Sequence, residues 1–175
     1  MSSESLHAPW RMEYIRSLQK DDASTCFLCD AVKATTPEER AARLVVWTTE
    51  HCVVVINKFP YTNGHLLVAP KNHIAELEQL SEPELLDLQQ QTVESVKLLR
   101  RAMSPQGFNI GINIGRAAGA GLPGHIHQHI VPRWGGDTNF MSVIGNIRIV
   151  PQAMSQLYEE LVRVKAEEAR RHEAT

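Results

Sequence analysis

The chain has 175 residues, the size of one domain able to bury a core without a disulfide or a metal. Its 18 basic residues are matched by 20 acidic ones for a net charge of −2, which argues against a polyanion-coating surface but suits a compact phosphorylated ligand held by a few placed cations and amides. The N-terminus lacks an apolar signal core and no apolar run nears the ~20 residues of a membrane span, so a cytoplasmic chain with neither membrane nor nucleic-acid partners is expected.

In chain order, residues 1–25 carry scattered apolar anchors (Trp10, Tyr14, Ile15, Leu18) and are expected to pack as an N-terminal extension on a single domain spanning 1–175. Residues 31–43 read as a polar connector with a helical turn after Pro37. Residues 44–47 and 52–56 are β-rich runs joined by residues 48–51, a hairpin. Residues 59–64 hold Pro and Asn-Gly turn signals and lead into HLLVAPK, a third strand. Ser81, Pro83 and Glu84 then give capping-box spacing with Pro early in the first turn. Leu85, Leu88, Thr92, Val96, Leu99 and Met103 follow at three- or four-residue steps, predicting a long helix across a sheet. Phe108, Ile110, Ile112 and Ile114 alternate with Asn109, Gly111, Asn113 and Gly115, a strand whose small polar face lets a ligand approach the backbone. After a glycine-rich loop at 115–124, HIHQHIV reads as another alternating strand. Met154, Leu157, Leu161 and Val164 predict a C-terminal helix, with about 166–175 a frayed tail. Antiparallel strands with segregated helices make the class α+β.

His125, His127 and His129 fall on alternate positions, so all three are expected on one face of a strand with successive Cα atoms about 6.6 Å apart. His125 and His129 would then be about 13 Å apart, too far to share one zinc with His127 at bonds of about 2.0–2.1 Å. A row of imidazoles can instead supply a nucleophile, a proton donor and a donor that offsets charge on a phosphoryl group. Gly119, Gly121 and Gly124 match a dinucleotide-binding G-x-G-x-x-G by letter, but a strand follows and no βαβ unit surrounds it. The loop reads instead as a close-approach segment whose backbone N–H groups can form an anion nest, helped by Arg116. Arg133 and Trp134, just after the histidine strand, could hold phosphate or stack on a base, but are equally ordinary as dimer or core contacts.

The run His125-Ile-His127-Gln-His129-Ile-Val131 resembles the histidine triad motif. The similarity runs from APWRMEYI through CFLC, NKFPYTNGHLLVAPKNH and the triad to PRWGGDTNF, and is nearest the bacterial branch with fragile-histidine-triad-like hydrolases and diadenosine tetraphosphate phosphorylases. The resemblance implies a homodimer of half-barrel antiparallel sheets and attack at the α-phosphorus of a dinucleoside polyphosphate. By it, His127 is the nucleophile that becomes nucleotidylated, and inorganic phosphate or water releases the nucleotide. His129 contacts phosphate and assists the leaving group, and His65 lies near the nucleophile. Asn57, Asn113 and the loop glycines Gly119 and Gly121 serve the nucleotide and its phosphates. Two departures stand out: Gln128 occupies a usually apolar position, and the loop before the triad lacks the Ser, Thr or Gln that eukaryotic hydrolases place there.

Cys26 and Cys29 have the C-x-x-C spacing that lets two thiolates clasp a zinc, and the pair does not open a helix in a βαβ pattern as a thioredoxin-like site would. The resemblance supplies His73 and His125 as the remaining ligands of a structural zinc; His51 beside Cys52 is a second source. A nucleotidyl-transfer enzyme is the leading expectation. The others are a zinc-stabilised nucleotide-binding regulatory dimer and, disfavoured by strand spacing, a zinc hydrolase using the triad as ligands.

Overall fold

A computed structural model describes residues 26–137 and 153–173. Helix α1 (Phe27–Val32) and helix α2 (Pro37–Ala42) precede strands β1 (Val45–Thr48), β2 (Cys52–Ile56) and β3 (Leu66–Pro70). The long helix α3 (Glu82–Met103) is followed by β4 (Gly107–Ile112), β5 (Gln128–Arg133) and helix α4 (Met154–Glu173). The strands form one antiparallel sheet in the order β1-β2-β3-β5-β4. The packing expected of Trp10, Tyr14, Ile15 and Leu18 lies outside the described residues.

Period-two alternation divides the sheet into two buried faces. Val54, Ile56, Leu66, Val68 and Ile130 face Leu88, Leu98 and Leu99 of α3 and Leu157 and Leu161 of α4. Val53, Val55, Leu67 and Ala69 face Leu28 and Ala31 of α1 and Leu122 of the glycine-rich loop. β5 places His129 opposite Leu67 and Gly111, on the face away from α3. Gln128 points the other way and accepts a hydrogen bond from Gln89 of α3 at 3.2 Å, so the departure noted in the motif is a buried polar tie to the long helix.

Four local readings need correction. The histidine strand begins only at Gln128, because the β3 ladder ends at Val68. Beyond it Pro70 has no N–H to give, and its carbonyl accepts from His125 Nε2. The stretch read as a connector at 31–43 begins inside α1 and holds α2 where a helical turn after Pro37 is expected; the cysteine pair opens α1, outside any βαβ unit, with Cys26 as N-cap and its sulfur accepting from the Cys29 N–H at 3.4 Å. The buried stripe of α3 includes Glu84, Asp87, Gln91 and Ser95, whereas Leu85 is partly exposed. The tail expected to fray from about 166 stays helical to Glu173, since Glu168 is 6 % exposed and pairs with Arg101 of α3 and Lys165.

Candidate active site

The Asn63-Gly64 turn delivers His65 into β3. Gly64 sits at φ +78°, and a Cβ there would lie 2.6 Å from Met103 Sδ and 3.2 Å from the Pro132 ring. Only glycine fits this bend against α3 and β5. Thr62 Oγ1 donates to the Pro132 carbonyl at 2.8 Å and pins the turn to β5.

Hydrogen bonds to groups of fixed polarity set the protonation pattern of the site. His127 is 4 % exposed, and its Nδ1 lies 2.8 Å from the His125 carbonyl, which can only accept. The proton therefore sits on Nδ1 and leaves a lone pair on Nε2. Burial lowers the pKa of His127, against the raising effect of the bond to the His125 carbonyl, so its neutral form is favoured. Next to it, His65 Nδ1 receives the Tyr61 N–H at 3.1 Å and the Asn57 amide at 3.2 Å, the amide being oriented by the Phe59 N–H on its oxygen. His65 must then carry its proton on Nε2 and donate to His129 Nδ1 at 3.0 Å. His129 in turn holds a proton on Nε2, toward Asn113, whose side-chain amide is 3.4 Å away and can be turned to present its oxygen. The His127 and His129 rings are 4.9 Å apart. A nitrogen lone pair thus lies beside an N–H donor held by a relay of backbone and side-chain bonds.

His129 and Asn113 open into a cleft of about 480 Å³, also lined by Tyr61, Thr62, Asn109 and Gly111. The Tyr61 ring stacks near His129 at 6.0 Å between centroids. His127 does not line the cleft; it sits one ring further in. Asn57 stands behind His65 rather than in the cleft, and Gly119 and Gly121 are not among its lining residues either. Gly119 has φ +85° with nothing within 4 Å of a built Cβ, so the turn and not crowding calls for glycine there. Sequence reasoning missed Tyr61 and Thr62, whereas Asn109 lies with Gly111 and Asn113 on the period-two polar face expected to admit a ligand.

On the same side of the sheet, ligand atoms of Cys26, Cys29, His73 and His125 lie within 4.8 Å of one another. His125 Nδ1 is 3.2 Å from Cys26 Sγ and 3.5 Å from Cys29 Sγ, and His73 Nδ1 is 3.2 Å from Cys29 Sγ. Tetrahedral ligands bound to zinc at about 2.0–2.3 Å stand roughly 3.5 Å apart, so the four residues fit such an ion. His125 Nε2 donates to the Pro70 carbonyl at 2.8 Å, which leaves Nδ1 as the lone pair aimed at the thiols. Without a cation, burial pushes the Cys26 thiol up to about 12 and His125 down to about 4, and a divalent cation would reverse the thiol's preference. His51 is not part of the cluster; its backbone N–H goes to Asp87. The zinc-ligand triad is disfavoured for a reason the spacing did not give: His125 turns to the cysteines while His129 is engaged by His65 and Asn113.

The HIT domain family matches residues 38–136. The AP-4-A phosphorylase of Mycobacterium tuberculosis is 34% identical over 151 residues, covering 85% of this chain and 77% of that protein. A bis(5'-nucleosyl)-tetraphosphatase [asymmetrical] of Schizosaccharomyces pombe is 34% identical over 89 residues, covering 51% of this chain and 48% of that one. The crystal structure of a Zn-bound histidine triad family protein from Mycobacterium smegmatis superposes with a TM-score of 0.65 at 25% identity, covering 85% of this chain and 98% of that chain. With the α+β fold, the histidine arrangement and these matches in agreement, the chain belongs to the HIT family.

Proposed function

We propose that this protein cleaves dinucleoside polyphosphates such as diadenosine tetraphosphate by nucleotidyl transfer through His127. The observation that carries the reading is the tautomer pattern: the His125 carbonyl holds the proton of His127 on Nδ1, and His65 places a proton on Nε2 of His129. His127 Nε2 attacks the α-phosphorus, forming an N–P bond as the P–O bond to the leaving nucleoside polyphosphate breaks. His129 Nε2–H hydrogen-bonds the oxygens that gain charge, and the amide of Asn113 steadies it. An oxygen of inorganic phosphate or of water then attacks the same phosphorus, the N–P bond breaks, and the nucleotide leaves with that oxygen. Phosphate as acceptor is supported by the similarity to the mycobacterial phosphorylase.

Zinc on Cys26, Cys29, His73 and His125 would supply a structural tether and no chemistry at phosphorus, since four protein ligands close its coordination. The chain works as a homodimer in this reading; β4 is one of the sheet's two edges, with Ile110 46 % exposed. Incubation with diadenosine tetraphosphate should yield ADP and ATP when phosphate is present, or AMP and ATP with water alone, and none with His127→Ala. Tight nucleotide binding without turnover by the native chain would replace the enzyme reading with that of a binding module.

A further inference from the structure

The cleft does not end at His129. From His129 it continues along the β4–β5 pair, over Gly111 and Val131, to Asn109, Arg133 and Asp137. His129, Val131 and Arg133 alternate on β5, so they share one face and the Cα of Arg133 lies about 13 Å from that of His129. At its far end the groove holds a prepared cation. Arg133 donates through Nε and Nη2 to Asp137 at 2.6 and 2.9 Å and through Nη1 to Asn109 Oδ1 at 2.7 Å. These bonds use three of the five guanidinium N–H groups and leave one on each terminal nitrogen.

The two partners play different parts. The Asp137 side chain is only 12 % exposed and also accepts the Trp134 N–H, so it holds the fork in place. The Arg133 side chain is 43 % exposed and is the member a ligand can reach. A surface ion pair of this kind adds little stability, whereas a planar fork fixed at the end of a groove suits bidentate recognition of phosphate oxygens.

We infer that Arg133, positioned by Asp137 and Asn109, is a binding subsite for the distal phosphates of the leaving group, and that it selects long polyphosphate chains over short ones. The inference rests on the proposed attack at His127. With the α-phosphorus at that residue, a leaving group with three phosphates runs the length of the groove, whereas AMP and adenosine 5'-phosphoramidate have no phosphate beyond the α-position to bring there.

The test separates binding from chemistry. In a His127→Ala background, affinities for AMP and diadenosine tetraphosphate are measured by calorimetry with and without Arg133→Gln, with the melting temperature as a check on folding. Arg133→Gln should weaken diadenosine tetraphosphate roughly ten- to hundredfold, the loss of one or two charge-assisted hydrogen bonds, and leave AMP unchanged. Asp137→Asn should give a smaller loss in the same direction. In the native background Arg133→Gln should raise KM for diadenosine tetraphosphate and leave adenosine 5'-phosphoramidate turnover unaltered. Equal loss for AMP and diadenosine tetraphosphate, no loss for either, or no binding of diadenosine tetraphosphate at all overturns the subsite. If the native chain binds both nucleotides but cleaves neither, the catalytic reading fails while the affinity comparison still judges Arg133.

Discussion

At the scale of single residues, the site depends on which nitrogen of each ring holds its proton, and three of the decisive bonds come from the backbone. Tyr61 N–H and the His125 carbonyl are examples, and Phe59 N–H aims the Asn57 amide. Replacing Asn57 by Ala removes one of two donors to His65 Nδ1, so the His65–His129 tautomer is held less firmly. Turnover should fall roughly tenfold through kcat with KM little changed, as expected when a group acts only in the transition state; a pure KM effect would place Asn57 in nucleotide binding instead. Gly64→Ala is a test of the turn. Met103 Sδ can swing away from an added methyl, but φ +78° and the Pro132 ring cannot yield, so the variant should lose about 1–3 kcal/mol in denaturant unfolding. That His127, His129 and Asn113 lie together could be read from the motif and its alternation. The Tyr61 contact could not, because backbone groups acquire partners only when a turn closes.

At the scale of elements, α3 is bound to the β1–β2 hairpin by charges that a helical-period reading assigns to solvent. Asp87 accepts from Thr49 Oγ1, from His51 N–H at 3.2 Å and from Gln91 Nε2 at 2.7 Å, and Gln91 in turn receives Trp47 Nε1 at 2.8 Å. Burial works to raise the Asp87 pKa, but these donors outweigh it and hold the carboxyl below its ordinary value; Ser81 and Asn72 do the same for Glu84. A carboxylate depressed in the folded state adds stability that is complete above its unfolded pKa and fades as pH falls through the folded one. The share of stability carried by Asp87 and Glu84 should therefore hold down to about pH 5 and decline below the ordinary values of 3.8 and 4.5, adding to a fall that begins near 6.5, where the buried His125 and His127 take up protons first in the unfolded chain. Asp87→Asn should cost about 1–3 kcal/mol at pH 7 and make the acid decline shallower. The long helix, its cap and the succession of strands along the chain were legible because periodicity and capping are local. Helix α1 was not, since six residues are too few for a period to declare itself and its N-cap is a cysteine.

At the scale of the whole molecule, the cysteine–histidine cluster joins parts of the chain that are distant in sequence: the start of α1, the loop after β3 and the approach to β5. Spacing could offer only the first pair; the other two ligands become neighbours because β3 and β5 are adjacent in the sheet and α1 lies on the same face. A cation there would close two long loops at once, restricting the unfolded chain and stabilising the folded one by mass action. The His125 peptide is the point where this tether meets the site, for its ring faces the thiols while its carbonyl holds the His127 proton. Purified protein should carry one zinc per chain. Stripping it with a chelator should lower the melting temperature by roughly 5–10 °C, about 2–3 kcal/mol for a chain of this length. Cys26→Ser should reproduce both the metal loss and the shift, whereas Cys52→Ser, which leaves all four ligands in place, should retain the zinc. A stripped protein that melts at the native temperature would show that packing alone, through Leu28 and Ala31 against Val53 and Leu67, secures α1 to the sheet.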